Sequence, residues 1–156
     1  MADSSYLKRV VEPFVVNWVS QRIGIPLAPR QVVVGPRTDG ASVRFAFDGV
    51  SADGQVGLLV SATQTVKPGG WRKLHVDASI LLNAPFRRRL MVLISEDVRL
   101  NFINKCDGLL PLRDVEMLVC DSLPAEMRIE IARFQNEAKA EVGDQGRTWK
   151  PGGPRR

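Results

Sequence analysis

Apolar residues near the start of the chain recur at helical spacing. Leu7, Val11, Phe14 and Trp18 follow one another at four, three and four residues, and Val10, Val15 and Val19 widen the stripe. The spacing predicts a helix over residues 5–23, stopped by Gly24 and Pro26. Pro13 admits two arrangements: a kink in one long helix, or a place in the first turn of a helix that starts near Glu12. The period then changes from helical to twofold. Residues 31–35 form a short β-branched run, and residues 42–50 alternate cleanly. Val43, Phe45 and Phe47 take one face there, while Arg44, Ala46 and Asp48 take the other. Asp53-Gly54 predicts a tight turn into a second strand over residues 55–65. That strand is apolar on both faces around Leu58, Leu59 and Val60, as a central strand is.

Beyond Lys67-Pro68-Gly69-Gly70, strands and helices alternate. Trp71, Leu74, Ala78 and Leu81 mark a helix, and Leu90 to Ile94 a buried strand. Ser95 caps a helix carrying Val98, Phe102 and Ile103, which Asp107-Gly108 ends. Val115, Met117 and Val119 mark a last strand. Pro124 opens a helix with Met127, Ile131, Phe134 and Ala138 on one side. The order is α-β-β-β-α-β-α-β-α. It predicts an α/β (α+β) fold with a mixed central sheet flanked by helices: an αβββαβ-type core with an additional helix–strand–helix arrangement toward the C-terminus. Residues 1–142 are expected to form a single domain. Residues 143–156, rich in Gly, Pro and charge, are expected to form a flexible basic tail.

Location changes the meaning of the net charge. Arg147, Lys150, Arg155 and Arg156 supply four of the five net positive charges, leaving +1 for residues 1–146. The body therefore does not demand a polyanionic partner, although the tail adds non-specific attraction to phosphate. No run is apolar enough to span a bilayer, and residues 1–5 lack an export-signal pattern. No membrane association and a cytoplasmic location are the expectations. Cys106 and Cys120 read as buried hydrophobes, and a single histidine, His75, without a CxxC argues against structural zinc.

Asp48, at a strand end beside Arg44, is the residue most open to a chemical reading. The plain alternative is a turn-proximal Asp that accepts backbone hydrogen bonds or pairs with Arg44. A leading helix, three strands, a helix and a strand, with an Asp on the second strand, resembles the PD-(D/E)xK nuclease superfamily, the restriction-endonuclease-like fold. The hairpin Phe47-Asp48-Gly49-Val50-Ser51-Ala52-Asp53-Gly54-Gln55-Val56 is similar to that of its small bacterial members, and the resemblance extends over roughly residues 5–121. It implies Mg²⁺-dependent phosphodiester cleavage, with an acidic residue and a lysine two positions apart on the next strand. Here those places hold Leu59 and Ser61. Leu59 cannot bind a metal, Ser61 cannot replace a lysine, and Asp48 alone leaves Mg²⁺ held mainly by water.

Asp48 is therefore read as the remnant of a catalytic site. Glu12 stands where some members carry an extra acidic residue, its plain alternative being a solvated first-turn carboxylate. Lys67, Arg72 and Lys73 around Gly69-Gly70, together with Arg44, are the candidate nucleic-acid contacts, with a solvated loop and helix face as the alternative. Arg87, Arg88 and Arg89 read as a solubilising cluster before a buried strand. The expected function is a catalytically degenerate nuclease-like domain serving as a nucleic-acid-associated or protein-interaction module, with no cofactor. Its partners are then DNA or RNA held by weak electrostatic contacts, or a protein. One alternative is an active metal-dependent nuclease, with Mg²⁺, whose missing groups come from positions such as Glu12 or Asp77. Another is an interaction or scaffolding domain without nucleic acid.

Overall fold

The computed structural model describes residues 5–64 and 70–146, with side chains as far as Glu137. A π-helical turn, Leu7–Val11, runs directly into α1, Glu12–Ile23. Three strands follow: β1 (Leu27–Pro36), β2 (Ser42–Ser51) and β3 (Val56–Ser61). Then come α2 (Gly70–Asn83), β4 (Arg88–Leu93), α3 (Glu96–Cys106), β5 (Glu116–Val119) and α4 (Ala125–Gly146). The strands lie side by side in chain order. β1, β2 and β3 pair antiparallel, while β3, β4 and β5 pair parallel. This is the mixed, helix-flanked sheet that the pattern predicts. Among the described residues no helix is long and apolar enough to cross a membrane.

All six residues of β3 are buried, because helices cover both faces of the sheet. Leu58 and Val60 join Leu90, Val92 and Ile94 under α1 and α4, with Val15, Val19 and Ile131. Leu59 turns the other way and joins Phe47, Met91 and Leu93 under α2 and α3, with Leu74, Leu81 and Phe102. The two cysteines are free and buried in opposite layers.

Of the two arrangements foreseen for Pro13, the place in the first turn of a helix starting at Glu12 holds. The helix is continuous, and Pro13 stands in the first turn of its α-helical portion. Without an N–H, Pro13 cannot bond back to the preceding turn, and its ring crowds the carbonyl four residues earlier. The turn before it is widened, and the Glu12 N–H reaches Leu7 O, five residues back.

Three expectations change in detail. The strand foreseen over residues 55–65 ends at Ser61, because α4 draws the following backbone away. Gln135 Nε2 donates to Ala62 O at 3.3 Å, and Gln64 Nε2 donates to Arg128 O at 3.0 Å. The last helix passes residue 142, where the body was expected to end, and reaches Gly146. Its Glu137-Ala138-Lys139-Ala140-Glu141 run consists of strong helix formers. The remainder of the foreseen tail lies outside the described residues. The arginines at the start of β4 do more than solubilise. Arg88 makes a two-pronged ion pair with Glu116 on β5, and Arg89 donates to Leu81 O and Ala84 O at the end of α2.

A candidate functional site at the β2–β3 fork

β2 and β3 pair at Val50–Gly57 and Gly49–Leu58, and then they part. On the other side of β2, Ala28 faces Val50 while Arg30 faces Phe47. Two steps along β1 thus match three along β2, and Asp48 and Gly49 together oppose Pro29. Proline has no N–H to give a ladder, so a β-bulge falls at this point. The bulge resets the alternation of β2. Phe47 and Val50 both enter the α2–α3 layer, although strict twofold periodicity would separate them. Asp48 is left at the mouth of the fork, half-buried.

Its carboxylate stands in for a missing rung, since the Val60 N–H donates to Asp48 Oδ2 at 2.7 Å. α1 comes down close to the strand beside it. A Cβ placed on Gly49 would lie 3.1 Å from Leu58, 3.2 Å from Leu27 and 3.3 Å from Val16. Glu12 precedes Val16 by one helical turn, so the close approach that seats Val16 also delivers the Glu12 carboxyl to Asp48.

The two carboxyls act on each other. Burial first, and then the charge of Asp48, push Glu12 up to about 7, against the pull of Lys8 and Lys73. Burial also raises Asp48, opposed by the Val60 N–H, Lys73, Lys8 and the bond from Glu12. The Val60 bond favours the ionised form of Asp48. From α2, Asp77 joins the group. Burial lifts it to about 6, Lys73 draws it down, and Asp48 adds to the rise. Lys8 and Glu12 are four residues apart, as are Lys73 and Asp77. Each helix thus directs one ammonium and one carboxyl toward Asp48.

Of the residues singled out in the sequence, Asp48, Glu12 and Lys73 are brought together. Lys73, foreseen as a phosphate contact, acts electrostatically on all three carboxyls. Arg72 is exposed in the first turn of α2, and Lys67 lies outside the described residues. Arg44 is exposed on β2 opposite Val33, and among the described residues no ion pair joins it to Asp48. That corrects one plain reading of Asp48, because the bulge turns its carboxylate toward Val60 and α1. The other plain reading, a backbone-bonding Asp, holds. Lys8 escaped the sequence reading altogether. The signal that could have found it is the lysine-to-acid spacing of four, repeated in the two helices that flank the hairpin.

Leu59 and Ser61 are both buried on β3, and the Ser61 hydroxyl donates to Thr63 Oγ1 at 3.3 Å. Among the described residues no three His, Cys, Asp or Glu side chains are grouped so that they could hold a metal ion. No family model, curated sequence or solved structure matches this chain.

Proposed function

We propose that this chain is a nuclease-like domain without metal-dependent cleavage, working as a nucleic-acid-associated module. The observation that carries the reading is the composition of the fork. Asp48, on the bulge of β2, stands where a residue for metal-dependent phosphodiester chemistry would be expected, but its carboxylate is engaged by the Val60 N–H, and the places for the second acid and the lysine hold a buried Leu59 and a buried Ser61. A resident Mg²⁺ fits this donor set poorly, because it calls for ionised oxygens that are not already engaged. The strand order, with β3 and β4 parallel beyond an antiparallel hairpin, agrees with the αβββαβ-type core of the nuclease-like reading. The exposed Arg72 at the start of α2, with Lys67 before it, supplies charge for phosphate contact. Lys73 is given a different part: it balances the fork.

The test is binding and cleavage measured on one preparation. Fluorescence anisotropy with duplex DNA, single-stranded DNA and RNA should show weak binding that falls steeply with salt. Each lost phosphate contact should lower the log–log salt slope by about 0.9 for a duplex. Lys67→Ala with Arg72→Ala should weaken that binding. No binding at low salt would overturn the reading and favour the interaction module without nucleic acid. Cleavage that needs Mg²⁺ or Mn²⁺ and disappears in Asp48→Ala would overturn it in favour of a working nuclease with relocated catalytic residues.

A further inference from the structure

We propose that two copies of this chain associate through the groove between α3 and the start of β5, with Leu109 of each copy seated in the groove of the other. The contact is isologous: one surface carries both the protruding side chain and the recess that receives it. The inference stands apart from the nucleic-acid reading and uses none of the groups at the fork.

The protruding side chain is held out by a fixed turn. Leu109 is 75% exposed, more than any other large hydrophobic side chain among the described residues. It follows Gly108, whose φ of +86° turns the chain at the end of α3. The Leu109 and Leu110 N–H groups both donate to Cys106 O at 3.0 Å, and Leu110 O accepts from the Leu112 N–H at 2.8 Å. A bridge between Asp107 and Leu110 closes the turn. A backbone tied in this way loses little further freedom when its side chain docks.

The recess lies beside it. Ile103, Leu112, Val115 and Met117 give it apolar walls, and Asp107 and Arg113 line it as well. A second recess over residues 107–113 shares Asp107, Leu112 and Arg113, so the two form one groove that runs up to Leu109. At about 290 Å³ the first recess is at the lower limit for a small-molecule site and suits a single side chain better. Leu100, 47% exposed, precedes Ile103 by three residues and Asp107 by seven, which puts all three on one face of α3. β5 is the last strand of the sheet, so no further strand stands in the way of an approaching copy. The charges select the occupant. Arg99, also in the lining, is tied to Glu96. Asp107 and Arg113 are exposed, and among the described residues neither has an ion-pair partner. One free anion and one free cation suit neither a polyanion nor a polycation. They match their own copy across a twofold axis, where Arg113 of one protomer meets Asp107 of its partner.

The experiment is sedimentation velocity on the full-length protein, free of nucleic acid, from about 1 μM to about 1 mM. The wild type should pass from monomer toward dimer across that range. Leu109→Asp, at a position the fold leaves in solvent, should weaken association by roughly tenfold or more, the scale of a central interface residue. Arg113→Asp sets like charges opposite one another and should weaken it too. Asp107→Arg combined with Arg113→Asp exchanges the two charges and should recover most of that loss. Circular dichroism checks that each variant keeps the wild-type fold. A wild type that stays monomeric throughout, association untouched by Leu109→Asp, or a double variant no better than Arg113→Asp would overturn the proposal. The wild type and Leu109→Asp decide it should a charge variant fold poorly. Because no nucleic acid is present, a failure of binding leaves this result standing, and a failure of association leaves the binding test standing.

Discussion

The backbone amide of Val60 donates to Oδ2 of Asp48 at 2.7 Å, and this side-chain bond stands where a rung of the β2–β3 ladder would otherwise be. A half-buried acid thus serves the backbone first. Any chemistry at the fork begins with a carboxylate that has one lone pair already engaged by β3 and another facing Glu12.

Asp48→Ala should therefore cost stability in its own right. The Val60 N–H, on a strand with no solvent-exposed residue, loses its acceptor. An orphaned buried donor costs about 1–3 kcal/mol. Asp48→Asn keeps an amide oxygen for Val60 and should cost clearly less. Urea denaturation of the two variants beside the wild type measures the difference. Equal losses would mean that the charge of Asp48, and not its acceptor, is what the fold uses.

The two arginines that begin β4 should part company in the same assay. Arg89 Nε donates to Leu81 O at 2.8 Å, which also accepts from the Ala84 N–H at 3.2 Å, and Nη2 donates to Ala84 O at 3.2 Å just past the end of α2. Arg89→Ala should lose about 1.5–3 kcal/mol, as expected for hydrogen bonds from a charged donor. The Arg88–Glu116 pair is 41% and 47% exposed, and Arg88→Ala should cost no more than about 1 kcal/mol. Added salt should shrink the second loss and leave the first nearly unchanged.

What the sequence disclosed and what it withheld divide along range. Local periodicity carried the order of elements, the continuous apolar run of β3 and the Ser95 cap, whose oxygen accepts from Val98 N at 3.4 Å. It also put Asp48 at a strand end and Glu12 in a first turn. It could not show that the two meet, because that depends on Pro29, on a neighbouring strand, displacing the register of β2. Nor could it show Lys73 and Asp77 arriving from α2. Lys73 was grouped with Lys67 and Arg72 because they are close in sequence, whereas among the described residues Lys73 acts on the carboxyls at the fork. Lys8, which carries no motif of its own, was hidden in the same way.

Gly57 is a second place where a long-range contact, invisible in the strand pattern, fixes the residue. A Cβ there would lie 2.0 Å from Cε2 of Phe86, a ring that stands edge-on to Phe47 at 4.9 Å. Gly57→Ala should destabilise by about 1–3 kcal/mol through overpacking. Phe86→Leu opens space beside β3, so the double variant should lose less than the sum of the two single losses. Strict additivity in thermal unfolding would show that the clash with Phe86 is not the cause.

The carboxyl cluster should also set the pH at which the whole domain is most stable. Glu12 is raised to about 7 and Asp77 to about 6, both chiefly by burial. An acid raised in the folded state holds its proton when the unfolded chain has already released it. Its penalty is absent below the unfolded value near 4.5 for Glu, grows as pH rises, and is complete above about 7. Asp53 and Glu96 act in the opposite sense. Hydrogen bonds from Ser51 and Gln55, and from Arg99, lower them, so their contribution is lost only as pH falls below the ordinary carboxylate range. The two trends meet in mildly acidic solution, and stability should peak near pH 5 and decline toward neutrality. For Glu12, part-exposed and therefore partly screened, the decline should be on the order of 1–2 kcal/mol. Glu12→Gln removes a proton that can be lost, so its stability curve between pH 5 and 8 should be flatter than that of the wild type. Chemical denaturation at four or five pH values checks both statements. A wild-type maximum at pH 8, or a Glu12→Gln curve parallel to the wild type, would place the buried protons elsewhere.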